Sequence, residues 1–182
     1  MNPTQRPPAG LIEVRVETPA QLFNSLDPSP FRSRDLDQDA EAHIIDWARE
    51  LPRDAPFVLH IYLPRQHAEP GSDHGIAEAF AHYFTERADV AGRDLAEHFR
   101  TTWRYFSIGV PVLAACLIAS QTIAPLLGEQ TLSRIVEESL IIVGWVANWK
   151  WIEALLYDWW PIKRRRDLYR RLATARVEII PG

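Results

Sequence analysis

The sequence predicts a small α/β (or α+β) domain of about three strands and two to three helices, attached to a two-helix transmembrane hairpin. Residues 105–128 form a run of 24 residues without a formal charge, which is long enough for a helix to cross a bilayer. Short segments on both sides of the apolar part alternate apolar and polar residues as strands do. We expect four parts. Residues 1–10 form a disordered tail, residues 11–103 the cytoplasmic α/β domain, and residues 104–157 the hairpin. Residues 158–182 form a basic juxtamembrane helix and a strand that returns to the domain.

Composition limits the class of protein. The chain has 182 residues, of which 47% are hydrophobic and 24% charged, and this excludes a mostly disordered chain. Its net charge of -4 gives no electrostatic case for nucleic-acid binding. Cys116, the single cysteine, cannot form an internal disulfide. The first ten residues are polar and proline-rich, so we expect no cleaved signal peptide.

The N-terminal part of the chain is acidic and the C-terminal part is basic. Residues 1–102 hold 10 Arg and no Lys against 17 Asp and Glu, together with all six histidines. Residues 103–182 hold 10 Lys and Arg against 7 Asp and Glu. Because the most apolar residues lie between these charges, the pattern indicates three environments rather than one globule.

Three strands are predicted in the α/β domain. Residues 11–17 alternate apolar and polar side chains, and residues 57–63 are apolar enough for a central strand. Thr18 and Pro19 open a short turn after the first strand. The order strand, helix, strand predicts a parallel pair with a right-handed crossover, and residues 176–180 are expected to join it.

The helix between the first two strands is preceded by a proline-rich turn. Asp27-Pro28-Ser29-Pro30 is expected to be a rigid structural corner, with a docking motif as the alternative. Asp35 or Asp37 can then cap the helix. Its apolar stripe has helical spacing and consists of Ala40, Ile44, Trp47, Ala48 and Leu51.

A long helix is expected after the second strand. Its apolar stripe has 3-4-4 spacing, which keeps the stripe on one side of a nearly straight helix that enters the membrane without a joint. Gly92 and the capping-like sequence Asp94-x-x-Glu97 favour a break instead. We expect a break or kink there, and a continuous helix is the alternative. The stripe consists of Ala77, Phe80, Phe84, Ala88, Ala91, Leu95, Phe99, Thr102 and Phe106.

The first membrane span is placed over residues 106–127, which are rich in Ile, Val, Leu and Ala. Trp103 and Tyr105 precede it at the depth where amphipathic aromatic residues prefer to lie. Pro111 and Pro125 are tolerated in spanning helices because neighbours bond the freed carbonyls. The alternative is a buried core helix of a soluble protein, although such helices are usually shorter.

The second span is placed over residues 135–153 and is less apolar. In a register centred near Gly144, Glu138 and Lys150 each lie about 9 Å from the middle, and their side chains reach toward the headgroups. An amphipathic helix lying along the interface is the alternative. Because ionisable groups in a span also mark pathways or inter-subunit pairs, the intramembrane polar candidates are Glu137, Glu138, Asn148, Lys150 and Glu153.

Charge placement predicts the topology. The connection from Gly128 to the second span is short, which favours an antiparallel hairpin. Arg100 and Arg104 precede the first span, and the basic run at 163–166 follows the second. The positive-inside rule therefore predicts a multi-pass membrane protein with both termini in the cytoplasm.

Small residues recur at packing intervals on both spans, and such residues let helix backbones approach within a membrane. We expect the two sets to pack within the hairpin, while packing between chains is the alternative. The first set is Ser107, Pro111, Ala115 and Ala119, and the second is Gly144, Ala147 and Asn148.

Basic and aromatic residues flank the hairpin. Juxtamembrane cations attract anionic lipid by about 1 kcal/mol per residue, and Trp residues belong at the interface. We therefore expect a bilayer with anionic headgroups as a partner, together with a homo-oligomer or a membrane-protein partner, and no nucleic acid. The anchoring residues are Trp103, Arg104, Trp159, Trp160, Lys163, Arg164, Arg165 and Arg166.

The search for catalytic chemistry yields one weak metal-binding candidate. His74, Glu78, His82 and Glu86 lie four residues apart, and His67 is close in sequence. Four successive turns spread over about 18 Å, so one ion can use at most two of these residues. A solvated polar face is the preferred interpretation. The sequence contains no HExxH, cysteine pair, G-x-S-x-G or phosphate-binding glycine loop, and we expect no cofactor.

Two segments carry a resemblance. Leu26-Asp27-Pro28-Ser29-Pro30-Phe31, followed by residues 34–37, and Tyr157-Asp158-Trp159-Trp160-Pro161-Ile162 resemble an uncharacterised group of small bacterial membrane proteins. The resemblance covers most of the chain and implies a bacterial inner membrane without a known activity. We expect a non-enzymatic scaffold or interaction module. The alternatives are a subunit of an oligomeric channel or transporter and, third, a metal-dependent enzyme.

Overall fold

The computed structural model describes residues 10–30, 34–52, 54–66, 72–123, 126, 128 and 130–181. The chain divides into two compact units, which are Met1–Ala91 with Arg164–Gly182, and Gly92–Lys163. In chain order the elements are β1 (Leu11–Arg15), a 3₁₀ turn (Pro19–Leu22), α1 (Gln38–Glu50), β2 (Val58–Leu63), α2 (Ser72–Ile123), α3 (Gln130–Glu153), a π-helical segment (Ala154–Asp158), α4 (Trp159–Ala173) and β3 (Arg176–Pro181).

The first unit contains one sheet of three parallel strands in the order β1-β2-β3. The predicted parallel pair and the returning third strand are confirmed. Leu59 pairs with Ile12 on one side and with Val177 on the other. The ladder starts at Gly10, whose carbonyl accepts the Val58 N–H at 2.9 Å. The rest of the predicted tail, residues 1–9, lies outside the described residues.

One face of the sheet forms the core because apolar residues recur at every second position of the strands. Ile12 and Leu59 are each 1% exposed, and Leu172 of α4 is fully buried in the same cluster. The opposite face is mixed and carries the charged side chains of the strands. There the Tyr62 hydroxyl donates to the Glu13 carboxylate at 2.6 Å, and this bond raises the pKa of Tyr62. The helical residues of the core include Ile44, Ile45, Ala48, Ile76, Ala79, Phe80, Tyr83 and Phe84.

Helix α1 is capped by Asp37, the second of the two predicted candidates. Its carboxylate accepts the Asp39 N–H at 3.0 Å and satisfies one of the free donors of the first turn. The predicted stripe is correct at Ile44 and Ala48, which are buried. It is wrong at Trp47, which is 44% exposed and lies beside the His43 ring at 5.9 Å. Trp47 lies one position before Ala48, at the border between the buried and solvent-facing sides of the helix.

The proline-rich turn is held by a single carboxylate. Asp27 accepts the Ser29 N–H at 2.9 Å with one oxygen and the Asp35 N–H at 2.8 Å with the other. The backbone N–H of Asp35 is the main cause that lowers the pKa of Asp27. Asn24 and Asp35 are also bonded through their backbones at 2.8 Å. These bonds agree with the predicted rigid corner, although Leu26 beside it is 89% exposed.

The end of α4 is fixed to the loop before β2. One terminal nitrogen of Arg171 donates to the carbonyls of Pro52 at 3.0 Å and Ala55 at 2.8 Å. The same guanidinium lies 4.0 Å from the centroid of the Phe57 ring. Because Leu172 follows directly and is buried, this turn of α4 both fills the core and bonds the loop.

Helices α1 and α2 are joined by a partly buried polar cluster. Arg87 donates to the Tyr83 hydroxyl at 2.7 Å and to the Glu41 carboxylate at 3.0 Å. Burial is the main cause that raises the pKa of Tyr83 to about 12. Tyr83 therefore stays neutral at physiological pH and bonds the cation through its hydroxyl oxygen.

The break expected near Gly92 is absent from helix α2, and this prediction is wrong. The helix runs without interruption from Ser72 to Ile123, through both Gly92 and Pro111. Gly in a helix interior costs about 1 kcal/mol relative to Ala, which the surrounding helix formers and the packing on both sides outweigh. The division between the two units nevertheless falls next to Gly92. The helix ends four residues before the predicted end at 127, and Pro125 lies outside the described residues.

In the second unit α2 and α3 pack against each other in opposite directions. The Phe106 ring contacts Trp151 with centroids 5.1 Å apart, and further along α2 Leu113 lies against Gly144. Gly128, in the connection, has a φ of 70°, which favours glycine. Helix α3 begins five residues before the predicted start at 135 and ends at the predicted residue 153.

We predict that Asp27→Asn loosens the corner, because charge strengthens both of the hydrogen bonds that it accepts. Exchange of the Asp35 amide should rise about tenfold, measured by hydrogen exchange on the full chain. Since the folded pKa lies below the ordinary value of 3.8, the wild-type protection is complete above that pH and disappears as the pH falls through the folded pKa. The exposed control Asp54→Asn should leave the Asp35 amide unchanged, and equal protection in all three proteins would contradict the assignment.

We predict that Arg171→Met lowers the free energy of unfolding of the first unit by about 1–3 kcal/mol, because two carbonyls lose a charged donor. Denaturant titration followed by amide exchange in β2 measures the loss. Arg170→Met is the matched control, since the neighbouring side chain is exposed. A loss of equal size in the control would show that the basic charge matters rather than the two bonds.

Candidate functional site

The outer surface of the second unit is apolar. Two helical stretches, Gly75–Ile123 and Gln130–Ala173, are long and apolar enough to cross a membrane, and only 17% of each apolar window is buried. A core helix of a soluble protein is mostly buried, so this exposure argues against the soluble alternative. Exposed apolar patches of such extent mark membrane or protein contacts. The exposed residues include Ile108, Val110, Leu117, Ile118, Ile123, Leu132, Ile135, Ile142, Val143, Trp145, Val146 and Trp149.

The seam between α2 and α3 is built on two glycines. A Cβ on Gly144 would lie 2.8 Å from Leu113 Cδ1 and 3.3 Å from Cys116 Cβ. A Cβ on Gly109 would lie 3.0 Å from the carbonyl oxygen of Ala147. Both glycines are buried, so the backbones approach here because no side chain intervenes.

This seam corrects the predicted small-residue face of the first span. Ser107, Pro111 and Ala115 are exposed, and Ala119 is half-buried. The buried face of α2 lies elsewhere on the helix, through Gly109 and Ser120. The four-residue spacing of small residues correctly indicates that the two helices pack closely, but the packed face of α2 is a different one. On the second span Gly144 and Asn148 are buried and Ala147 is half-buried, as expected.

Asn148 is the polar centre of the seam. Its side-chain nitrogen donates to the carbonyls of Gly109 and Gly144, both at 2.9 Å, and its oxygen accepts the indole N–H of Trp151 at 2.7 Å. The side chain is 3% exposed, so the amide is bonded on both ends where water is excluded. Of the five predicted intramembrane polar residues, only Asn148 lies in this seam.

The other four candidates lie on the outside of α3. Lys150 and Glu153 form an ion pair at 3.4 Å with side chains 61% and 43% exposed. Glu138 lies 3.7 Å from Arg134, and Glu137 is exposed. These charges are therefore available to headgroups, to water or to another chain.

A π-helical segment interrupts the helical stretch after Glu153. It covers Ala154–Asp158, and His98 Nε2 lies 3.0 Å from the carbonyl oxygen of Ala154. Such segments shift the backbone pairing by one residue and are frequent at functional sites. Because a carbonyl oxygen only accepts, the His98 Nε2–H donates this hydrogen bond. The π-helical segment has displaced the α-helical bond that this carbonyl would otherwise accept. No sequence pattern pointed to this contact.

The predicted anchoring residues are distributed over both units. In the second unit Trp103 is 66% exposed and Arg104 is exposed. Trp159 stacks near Phe99 at 6.4 Å and carries Lys163 at 5.7 Å from its ring centroid. Trp160 is 46% exposed. In the first unit Arg166 pairs with Asp167 at 2.8 Å, while Arg164 and Arg165 are exposed.

The metal candidates form no cluster in the described part of the chain. Glu78, His82 and Glu86 lie on the exposed side of α2, as a solvated polar face would. His67 and the side chain of His74 lie outside the described residues. Among the described residues no group of three His, Cys, Asp or Glu side chains is arranged to hold a metal ion.

An open groove of about 690 Å³ lies where β1 and β2 end, and it was not foreseen. The carboxyl ends of parallel strands are the usual place for such grooves, which is the signal that would have indicated it. Its lining is mixed and includes Arg15, Glu17, Gln21, Tyr62 and Pro64. Comparison of the chain with protein-family models, with curated proteins and with solved structures gives no match.

We predict that Gly144→Leu weakens the seam by about 1–3 kcal/mol through overpacking, and that Asn148→Leu weakens it by about 1 kcal/mol by leaving the Trp151 indole unpaired. Detergent-micelle unfolding by SDS, followed by circular dichroism, measures both. The matched control Ala115→Leu adds the same bulk on the exposed face of α2 and should change little. A larger loss from Ala115→Leu than from Gly144→Leu would restore the face that the sequence predicted.

Proposed function

We propose that the chain is an integral membrane protein whose two apolar helices cross the bilayer as a hairpin and whose α/β unit serves as a cytoplasmic scaffold or interaction module. The observation that carries the proposal is the low burial of both apolar windows, 17% in each. Apolar surface exposed to water costs about 25 cal/mol per Å². Burial of this surface in the hydrocarbon of a bilayer removes the cost without contacts to another protein.

The proposed orientation follows from the charges that flank the two apolar stretches. Arg104 precedes the first apolar stretch, while the basic run at 163–166 follows the second. Cytoplasmic flanks carry the excess of Lys and Arg, so both termini are assigned to the cytoplasm. The short connection around Gly128 then lies on the far side. A bacterial inner membrane is the membrane that the sequence resemblance implies.

Anionic headgroups are the proposed lipid partner. Lys163 lies over the Trp159 ring, an arrangement that places an aromatic body and a cation side by side. Trp103 and Arg104 are both exposed where the apolar stretch of α2 begins. Each cation near an anionic surface adds about 1 kcal/mol, which favours one orientation and one depth.

A scaffold role is favoured over catalysis by how the titratable groups are used. The Tyr83 hydroxyl is held by Arg87, and the Asp27 carboxylate is held by two backbone N–H groups. These groups have displaced pKa values because they join elements of the fold. Displaced pKa values at catalytic sites accompany a cleft with a chemical partner, and the Tyr83 and Asp27 environments are structural instead.

A channel or transporter subunit is the second candidate, and one observation favours it. Lys150 and Glu153 are exposed on α3, directly after its longest uncharged run at residues 139–149, as residues facing a shared interior would be. Replacing both with Gln should leave the scaffold function and the native mass unchanged. Loss of assembly or of ion flux in proteoliposomes would favour the channel.

We predict that a periplasmic reporter fused at Gly128 is active and that the same reporter fused after the C-terminus is inactive, because both basic ends remain in the cytoplasm. A cytoplasmic reporter at the two positions should give the opposite result. The protein should also stay with the membrane fraction at alkaline pH. A cytoplasmic Gly128, or a compact particle soluble without detergent, would overturn the proposal.

A further inference from the structure

Strand β1 has one free edge. The Val58 N–H donates to Gly10 O at 2.9 Å and the Val16 N–H donates to Tyr62 O at 3.1 Å, so the even-numbered residues of β1 bond to β2. In a parallel ladder the residues between them point their N–H and C=O groups the other way. Leu11, Glu13 and Arg15 therefore offer these groups at the sheet edge. Within the described residues no other main-chain group bonds them.

The side chains of β1 alternate between a buried and an exposed face, just as its backbone groups alternate between the β2 side and the free edge. Ile12 and Val14 are 1% and 8% exposed, while Glu13 and Arg15 are exposed on the opposite face. Glu13 takes the Tyr62 hydroxyl on one oxygen. The Arg15 guanidinium has no hydrogen bond or ion pair within the described residues, and lies 5.7 Å from the Tyr62 ring centroid.

These properties make β1 complementary to an antiparallel copy of itself. If Val14 lies opposite Val14 of a second copy, Glu13 lies opposite the second copy's Arg15, and the reverse pair forms by symmetry. Both residues of each pair point their backbone groups outward, so each pair exchanges two hydrogen bonds. Ile12 then faces Val16 on the apolar side. Shifting the copy by two residues places Glu13 opposite Glu13, which like charge disfavours.

The other edge of the sheet lacks this complementarity. β3 ends at Pro181, which has no N–H to donate. Its two charges are already engaged, since Arg176 Nε bonds Glu178 at 2.8 Å and Glu178 lies 3.3 Å from His60 Nε2. Proteins commonly protect edge strands with proline, and β3 has such a proline while β1 has none.

We propose that β1 pairs with β1 of a second copy of this chain, which joins two three-stranded sheets into one of six strands. The two-fold axis is normal to the sheet, so the helices on the core face of both first units stay on one side. Two reciprocal Glu13–Arg15 pairs and the Val14–Val14 contact fix the register. This inference does not depend on the membrane assignment, because it uses the first unit alone.

A charge exchange tests the pairing. The native mass of the full chain is measured by light scattering in detergent micelles and in lipid nanodiscs. The wild type should be a dimer, and Glu13→Arg or Arg15→Glu should each weaken self-association about tenfold or more, because two attractive pairs become repulsive. Mixing the two single variants should restore the dimer as a heterodimer, and the double exchange should restore the homodimer. Restoration also shows that both single variants fold.

Matched variants separate the pairing from other effects. Tyr62→Phe removes the bond to Glu13 without changing the charge of β1, and Arg49→Glu reverses an exposed charge on α1; both should remain dimeric. In a Cys116→Ser background, Val14→Cys should form an interchain disulfide on mild oxidation, since directly opposed residues meet disulfide geometry.

Three results would overturn the inference. They are a monomeric wild type, dimers that persist in both single reversals, or a dimer whose Val14→Cys variant does not cross-link. A monomer that adds an unrelated extended peptide along β1 would show that the edge accepts another protein instead of a second copy.

Discussion

Removal of apolar side chains from water is the constraint on which both units of this protein depend, and each unit meets it differently. In the first unit alternate strand residues and one side of each packed helix meet in a core where Leu59, Phe84 and Leu172 are almost fully buried. In the second unit two helices cannot enclose each other, since a pair of cylinders buries only the line along which they touch. Most apolar side chains there remain outside. The difference is geometric: the first unit removes its own apolar side chains from water, while the second leaves an apolar surface that, in the proposed membrane arrangement, hydrocarbon covers.

The polar groups follow the same division. At the first unit, charged groups such as Arg87 and Arg171 bond to groups at the border of the core, where their stems pack and their heads reach partners. Among the described residues of the second unit the buried polar side chains are neutral. Thr102 and Ser120 donate to carbonyls of their own helix, and the amide of Asn148 is bonded at both of its ends. An amide is less costly than a charge to place in an apolar seam, and it holds two backbones at a fixed distance.

Sequence reasoning was accurate where a short period decides the structure and weaker where the three-dimensional neighbour decides it. A period of two predicted the strand at 11–17, because only one face of such a strand can enter the core. The order strand, helix, strand then predicted that it pairs with residues 57–63 in parallel. The continuity of α2 past Gly92 depends on packing that a local propensity does not contain. The packed face of the same helix was missed for a related reason. Small residues occur on two faces of α2, and only the close approach of the Ala147 carbonyl on the other helix selects Gly109 over Ala115. Asn148 was recognised as polar in a span, but its two carbonyl partners lie on different helices. The π-helical segment has no sequence pattern of its own.

The pairing of β2 with β3 has a consequence for biosynthesis. Val58 lies opposite Arg176, and both long helices are translated between them, so ribosomes complete the central strand well before its second neighbour exists. Until then the nascent sheet has two strands, and the cost of closing such a long loop has not been met. Both long helices are therefore complete before the sheet can close, and in the membrane arrangement proposed above their insertion precedes that step.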